Sequence, residues 1–266
     1  MVEQDYIKFL GTAGARFVMI KQLRSSAGIW LSSKGVNVLI DPGPGSLIRA
    51  LNSRPKLNPE ELDAVILTHK HLDHSNDVNL MIEAMTGGGF KHRGSLFAPK
   101  DCFGNKGVVF DYAAKLVPRI EYLDKGNFEI KGFRFEVPEK MIHPVLTFGL
   151  KFSLGNKTVS LISDTAFFEE LKTLYRADVL IINVVFYEKR EGIAHLCLGE
   201  AKKIISAVKP ELAVLTHFGM TMLRAKPHKI EKELTAELGV EVKCAYDGMR
   251  LGANLDIIHK DRGQKS

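Results

Sequence analysis

Short apolar runs separated by turn residues dominate the first third of the chain. Residues 6–10, 28–32 and 36–40 are rich in aromatic and β-branched side chains and predict strands in a pleated, partly buried surface. The third run ends in Asp41-Pro-Gly-Pro-Gly45, a strand-ending turn, and residues 46–51 then show helical spacing. Residues 62–67 are almost continuously apolar, as in strands covered on both faces. The second half repeats this order. Residues 158–162 predict a strand running into Ser163-Asp164, residues 167–175 a helix, and residues 178–183 a buried strand. Residues 198–208 place Leu198, Ala201, Ile204, Ile205 and Val208 on one helical stripe that stops at Lys209-Pro210. A last buried strand, residues 212–215, leads into Thr216-His217.

The halves correspond in a specific way. Ile66-Leu-Thr-His69 and Val214-Leu-Thr-His217 both set a histidine where a buried strand ends, and Asp41 and Asp164 both follow apolar strands. In open α/β sheets, ligand-binding groups gather at strand C-termini, where departing loops converge without disturbing the core. Two such halves packed together predict an α/β architecture with helices outside, sheets inside and one shared cleft. No long linker or internal repeat of 20 to 50 residues interrupts the chain, so one domain over residues 1–266 is expected.

Composition narrows the class without choosing a function. With 266 residues, 45% hydrophobic and 26% charged, the chain has a globular composition, which excludes disordered, collagen-like and disulfide-miniprotein classes. The formal charge of +6 favours an anionic partner only weakly. Three widely spaced cysteines suggest neither a disulfide framework nor a cysteine zinc cage, and a reducing cytoplasm is expected. The N-terminus lacks the order of a secretion signal, and the longest nearly apolar run, residues 179–186, is far below the ~18 residues of a membrane span. Assembly into a homo-oligomer remains open.

The chemistry concentrates in Thr68-His69-Lys70-His71-Leu72-Asp73-His74. Imidazole nitrogens and carboxylate oxygens are ligands for zinc, iron or manganese. Alternation puts His69 and His71 on one side of an extended segment, and a turn into the following helix brings Asp73 and His74 to a second position. One metal could take the first pair and another the second. Residues 87–94, glycine-rich and basic, read either as a surface loop or as a lid whose Lys91, His92 and Arg93 face an anion. Gly11-Thr-Ala-Gly14 reads as a plain turn or as a phosphate nest.

The His-x-His-x-Asp-His motif resembles the signature of the metallo-β-lactamase superfamily, and the resemblance runs from Asp41 to the C-terminus. It implies a four-layer αββα sandwich with the metal site at shared strand ends. It further implies that His69, His71 and His143 hold one divalent ion, that Asp73, His74 and His217 hold a second, and that Asp164 bridges them. Zinc is the first expectation, with manganese or iron accepted by the same donors. Asp41 is expected to hydrogen-bond a ligand histidine. Paired dications can activate water near neutral pH and stabilise charge on attacked and leaving oxygens, so a hydrolase is expected, with Asp73 and His195 in catalytic roles.

Substrate class is less constrained. Phosphodiesterase-like branches, ribonuclease Z among them, place a histidine where His195 stands to protonate the leaving oxygen. Two departures separate this chain from ribonuclease Z. Asn183 stands where that enzyme has its relay glutamate, and Cys197 where it has a small hydroxyl residue. Met85-Thr-Gly-Gly-Gly89, Leu215-Thr-His-Phe-Gly-Met220 and Asp247-Gly-Met249 are closer to an uncharacterised branch of the superfamily. The expectation is cleavage of a phosphodiester, in nucleic acid such as RNA or in a small molecule. The alternatives are an ester, lactone, thioester or lactam hydrolase, and a non-catalytic RNA-binding or redox protein. Retention of both His69 and His71 disfavours the oxygen-handling di-iron branches, which usually replace one with glutamate.

Overall fold

Alternation along the strands decides the layering. In the computed structural model, which describes residues 5–14, 16–26 and 28–257, the strands in chain order are β1 (Tyr6–Phe9), β2 (Ile29–Ser33), β3 (Val36–Ile40), β4 (Ala64–Ile66), β5 (Ser95–Pro99), β6 (Arg119–Leu123), β7 (Gly126–Ile130), β8 (Phe133–Val137), β9 (Leu150–Leu154), β10 (Lys157–Ile162), β11 (Val179–Asn183), β12 (Leu212–Thr216), β13 (Glu241–Cys244) and β14 (Arg250–Gly252). They form two seven-stranded sheets, ordered β14-β1-β2-β3-β4-β5-β6 and β13-β12-β11-β10-β9-β8-β7. Val38, Ile40, Ala64 and Ile66 from the first sheet meet Val159, Leu161, Ile181 and Val214 from the second in one inter-sheet core. The intervening residues point outward. Leu39 and Val65 pack with Ala50, Met81 and Ile82 of the helices Ser46–Leu51 and Val78–Met85. Leu180 and Ala213 pack with Ala201, Ile205 and Ile230 of the helices Leu198–Val208 and Pro227–Leu238. The result is the expected four-layer αββα sandwich.

The two sheets share a plan. In the first, β14, β1, β2 and β3 pair antiparallel, and β3, β4, β5 and β6 pair parallel. In the second, β7, β8, β9 and β10 pair antiparallel, and β10, β11, β12 and β13 pair parallel. The strand at each changeover is the one followed by an aspartate: β3 by Asp41, and β10, two residues on, by Asp164. The parallel strands adjoining them release their loops at the same end, so those loops converge there.

Most predicted elements appear with shifts of one or two residues. Two are shorter than expected. The strand at 62–67 is regular only over Ala64–Ile66, and the helix at 167–175 contracts to Leu171–Leu174. The latter change follows from tertiary ties, since the segment after Asp164 is held by the chain near His143, with Ala166 N donating to Ile142 O at 2.9 Å. The helix Leu198–Val208 begins with Cys197 N donating to Glu200 Oε2 at 3.1 Å, which satisfies one open N-terminal donor. It ends at Lys209 in a left-handed conformation before Pro210. Among the described residues, no helix is long and apolar enough to cross a membrane.

Ile181 lies at the centre of β11 and is 1% exposed. Replacing it by alanine should cost about 2–5 kcal/mol in a urea unfolding titration. Phe90→Ala, at a position 95% exposed, should stay within about 0.5 kcal/mol.

Candidate metal centre

The first ligand segment takes its shape from an extended stretch followed by a single helical turn. His71 has extended backbone, with φ −63° and ψ 146°, and the helix Leu72–Ser75 begins immediately after it. His69 and His71 therefore reach the cleft from extended chain, whereas Asp73 and His74 reach it from the helical turn. Ser75 Oγ closes the turn on the Lys70 and His71 carbonyls at 3.1 and 3.0 Å.

Asp41 organises this segment. Its Oδ1 accepts from Thr68 N at 2.6 Å, and its Oδ2 accepts from Thr68 Oγ1 at 2.7 Å and from His74 Nδ1 at 2.8 Å. With Nδ1 of His74 donating, Nε2 is left as the donor atom facing the cleft. The Thr68 hydroxyl proton is committed to Asp41, so the 3.0 Å contact between Thr68 Oγ1 and His69 Nδ1 is a donation from the ring. That exposes His69 Nε2 in turn. His143 Nδ1 donates to Ala194 O at 2.9 Å and aims its own Nε2 at the same cleft.

The inward-facing atoms form two groups. In one, His69, His71 and His143 each offer a nitrogen, and His143 Nε2 lies 3.1 Å from His71 Nδ1. In the other, Asp73, His74 and His217 converge, with His74 Nε2 3.3 Å from His217 Nε2 and His217 Nε2 3.4 Å from Asp73 Oδ2. Asp164 Oδ2 stands between the groups, 3.4 Å from His217 Nε2, 3.5 Å from His74 Nε2 and 3.8 Å from His69 Nε2. Tetrahedral ligands bound at ~2.0–2.1 Å lie about 3.3 Å from one another, close to these separations. His69 Nε2 and Asp73 Oδ2 are buried without a hydrogen-bond partner. Buried polar atoms of this kind are costly unless they bind something, and a divalent cation fits them.

Protonation tendencies follow the same division. Burial lowers the pKa of His69, His71 and His143, favouring the neutral ring that a metal needs. Burial also opposes charge on His217, but Asp164 and Asp73 together outweigh it and raise the pKa to about 9. At His74 the same opposition is overcome by Asp73, Asp164 and Asp41. Asp164 is held far below the usual carboxylate range, because His217, His74 and His195 together exceed the cost of its burial. The carboxylates thus create a local demand for positive charge, which a divalent cation would meet.

Residues outside the ligand set complete the support. Asn183 Nδ2 donates to Asp164 Oδ1 at 2.9 Å, which turns Oδ2 toward the histidines. The residue that departs from the ribonuclease Z pattern therefore positions the central carboxylate. Ser163 Oγ donates to Thr68 Oγ1 at 2.9 Å and joins the two halves. These roles leave no sequence signal beyond a polar residue at the end of an apolar strand. Asp41 and His217 both adopt left-handed backbone, with φ 55° and 61°, at a cost of about 1–3 kcal/mol each.

The Gly11–Gly14 stretch is neither a free turn nor a phosphate cradle. Gly14 N donates to Phe218 O at 3.0 Å and Phe218 N to Thr12 O at 2.9 Å, bracing the loop that carries His217. A Cβ at Gly14 would lie 2.3 Å from His217 O, so this approach requires glycine. His195 does reach the centre, with Nδ1 3.5 Å from Asp164 Oδ2.

Lys91 and Arg93 do not reach it, which corrects the expectation that they face an anion there. Lys91 pairs with Glu60, and Arg93 donates to Glu60 O at 2.6 Å and lies 3.3 Å from Asp63 Oδ1. Asp63 precedes β4, whereas His69 follows it, so the two cations sit at the opposite end of that strand. Acidic neighbours unseen by local sequence reading already neutralise them.

Comparison with known proteins agrees with this fold. The family described as a beta-lactamase superfamily domain matches residues 36–218. An uncharacterised protein of Methanocaldococcus jannaschii is 28% identical over 265 residues, covering 95% of each chain. The metallo-beta-lactamase fold protein YhfI from Bacillus subtilis superposes with a TM-score of 0.74 at 21% identity, over 93% of this chain and 99% of that one. The short form of human tRNase Z superposes with a TM-score of 0.67 at 18% identity, over 93% and 99%.

Asp41→Asn removes an acceptor from the Thr68 and His74 donors, and Asn183→Ala releases Asp164 Oδ1. Each should weaken divalent-metal affinity about 10- to 100-fold in a chelator-competition titration. Unchanged affinity in both variants would contradict the positioning roles described.

Proposed function

The chain belongs to the beta-lactamase superfamily, and from that premise we propose that it is a hydrolase that uses two divalent metal ions to cleave a phosphodiester bond. His69, His71 and His143 would hold one ion, Asp73, His74 and His217 the other, with Asp164 between them. When bound, the ions would lower the pKa of water and offset charge developing on the attacked phosphoryl group. Zinc, manganese and iron all suit this donor set.

The observation that carries the phosphodiester reading is the setting of His195. Its side chain is 14% exposed, Nδ1 is buried without a hydrogen-bond partner, and the ring packs edge-on to His143 at 5.1 Å between centroids. It is thus beside the ligand set without being required to complete either group of three. Burial lowers its pKa, so the ring becomes a ready acid once an anion restores its proton. A phosphodiester brings that anion, whereas a neutral acyl compound does not. His195 can then protonate the leaving oxygen. Asp41 and Asn183 keep His74 and Asp164 in register while this happens, and Asp73 supports His217 across the 3.4 Å between Oδ2 and Nε2.

Two measurements check this reading. Protein purified without added metal should contain two equivalents of divalent metal by elemental analysis. Asp164→Ala should deplete both, and His143→Ala mainly one. Tight retention of both ions by Asp164→Ala would remove the bridging role. In a panel of phosphodiesters and acyl compounds assayed with zinc, manganese or iron, phosphodiesters should be the substrates. His195→Ala should slow cleavage about 10²–10⁴-fold where the leaving group is a ribose alkoxide. With a nitrophenolate leaving group, which needs no proton, the loss should be much smaller. Acyl turnover without phosphodiester turnover would replace the proposal with the acyl alternative.

A further inference from the structure

A cavity of about 330 Å³ is lined by Phe17, Lys21, Phe186, Arg190, Thr221 and Arg224, with Gly219 and Met220 where the helix Met220–Arg224 begins. Two contacts connect it to the chemistry. The Phe186 ring lies edge-on to His195 with centroids 6.1 Å apart, and Gly219, two residues after His217, donates its N–H to Val185 O at 3.1 Å. Tyr187 N donates to Thr221 Oγ1 at 3.1 Å and holds the walls together.

The charge of this cavity differs from that of the basic loop at 91–93 and of Lys70 within the His-rich segment. Lys70, Lys91 and Arg93 are paired with Asp101, Glu60 and Asp63. Among the described residues, Lys21, Arg190 and Arg224 have no carboxylate partner. They come from the end of the helix Phe17–Ile20, the loop after β11 and the end of the helix Met220–Arg224, and converge only in the folded chain. Arg190 rests over the Phe186 ring at 5.0 Å, which limits the freedom of its guanidinium. Phe17 is 61% exposed, and Tyr187, 40% exposed, lines a contiguous cavity of about 240 Å³. Glu188 is the acid in that second cavity, where Lys189 also stands, itself paired with Glu200 at 3.3 Å.

We propose that this cavity is a binding subsite for single-stranded nucleic acid, in which Lys21, Arg190 and Arg224 hold phosphates next to the scissile one and Phe17 stacks on a base. The inference rests on the phosphodiester reading above and narrows it to a polynucleotide. A small phosphodiester carries one negative charge, which the metal centre itself can meet. Three further cations call for further phosphates along the same chain. Exposed rings among cations are the combination that holds single strands with little sequence preference, since every base offers a face for stacking.

The test is fluorescence anisotropy of a labelled single-stranded RNA across a salt series, with the whole metal-loaded protein. Combining Lys21→Ala, Arg190→Ala and Arg224→Ala should weaken binding at least about ten-fold. It should also reduce the log–log salt slope by about 2, because each phosphate neutralised on a single strand accounts for ~0.7 of that slope. Phe17→Ala should weaken binding about five-fold or more with little change in slope. Removing three exposed lysines elsewhere, Lys115, Lys229 and Lys232, should leave the slope nearly unchanged. All these positions are exposed, and circular dichroism checks that each variant folds. Equal losses in the two triple variants, or an unaltered slope in the first, would overturn the subsite. RNA cleavage together with that result would leave the hydrolase reading standing. Selective weakening with no phosphodiester cleaved by any form would establish nucleic-acid binding at the cavity and defeat the phosphodiester-cleavage reading.

Discussion

Three donors converge on the Asp41 carboxylate: the backbone N–H of Thr68, its hydroxyl, and Nδ1 of His74. Because β3 and β4 run parallel as neighbours, the residue after one strand can bond to the loop after the other. Asp41 thereby fixes the start of the 68–74 segment and the tautomer of His74 at once. Ser163 extends the network to the second sheet through Thr68, so the two halves are registered by the same polar cluster that shapes the metal centre. Close approach is part of the arrangement. A Cβ at Gly43 would lie 2.0 Å from Asp73 O, and only glycine lets the turn after Asp41 pass beneath the helical segment.

The centre is expensive in isolation. It gathers buried imidazoles and ionised carboxylates, leaves His69 Nε2 and Asp73 Oδ2 without partners, and holds two non-glycine residues in left-handed backbone. Local strain of this kind persists where surrounding structure overdetermines it. Here the inter-sheet core and the helices on both outer faces supply that constraint, and cations would supply the missing charge. The core therefore bears directly on function, because it holds ligand atoms at separations suited to a metal.

Charge beyond the centre is distributed unevenly in its availability. The basic loop at 91–93 has its charge taken up by Glu60 and Asp63 at the far end of β4. Three cations without a carboxylate partner among the described residues, Lys21, Arg190 and Arg224, instead line the cavity reached through Phe186 and Gly219, next to His195. A net charge of +6 could not distinguish these cases, since it counts paired and unpaired cations alike.

Periodicity in the sequence was sufficient for β1–β4 and β10–β12, the strands nearest the centre, though not for the outer strands such as β5, β6, β7 and β13, and the correspondence of Asp41 with Asp164 and of His69 with His217 revealed that both halves aim their chemistry at one edge. Those features are local: they depend on alternation, on strand ends and on residue types with few other uses at such positions. Only the tertiary structure decided that Asn183 orients Asp164, that Gly14 braces His217, that Arg93 is neutralised, and that Lys21, Arg190 and Arg224 share a cavity. Each of these depends on residues distant along the chain meeting in space, and hydrogen-bond partners and charge neutralisation are properties of the neighbours that folding brings together.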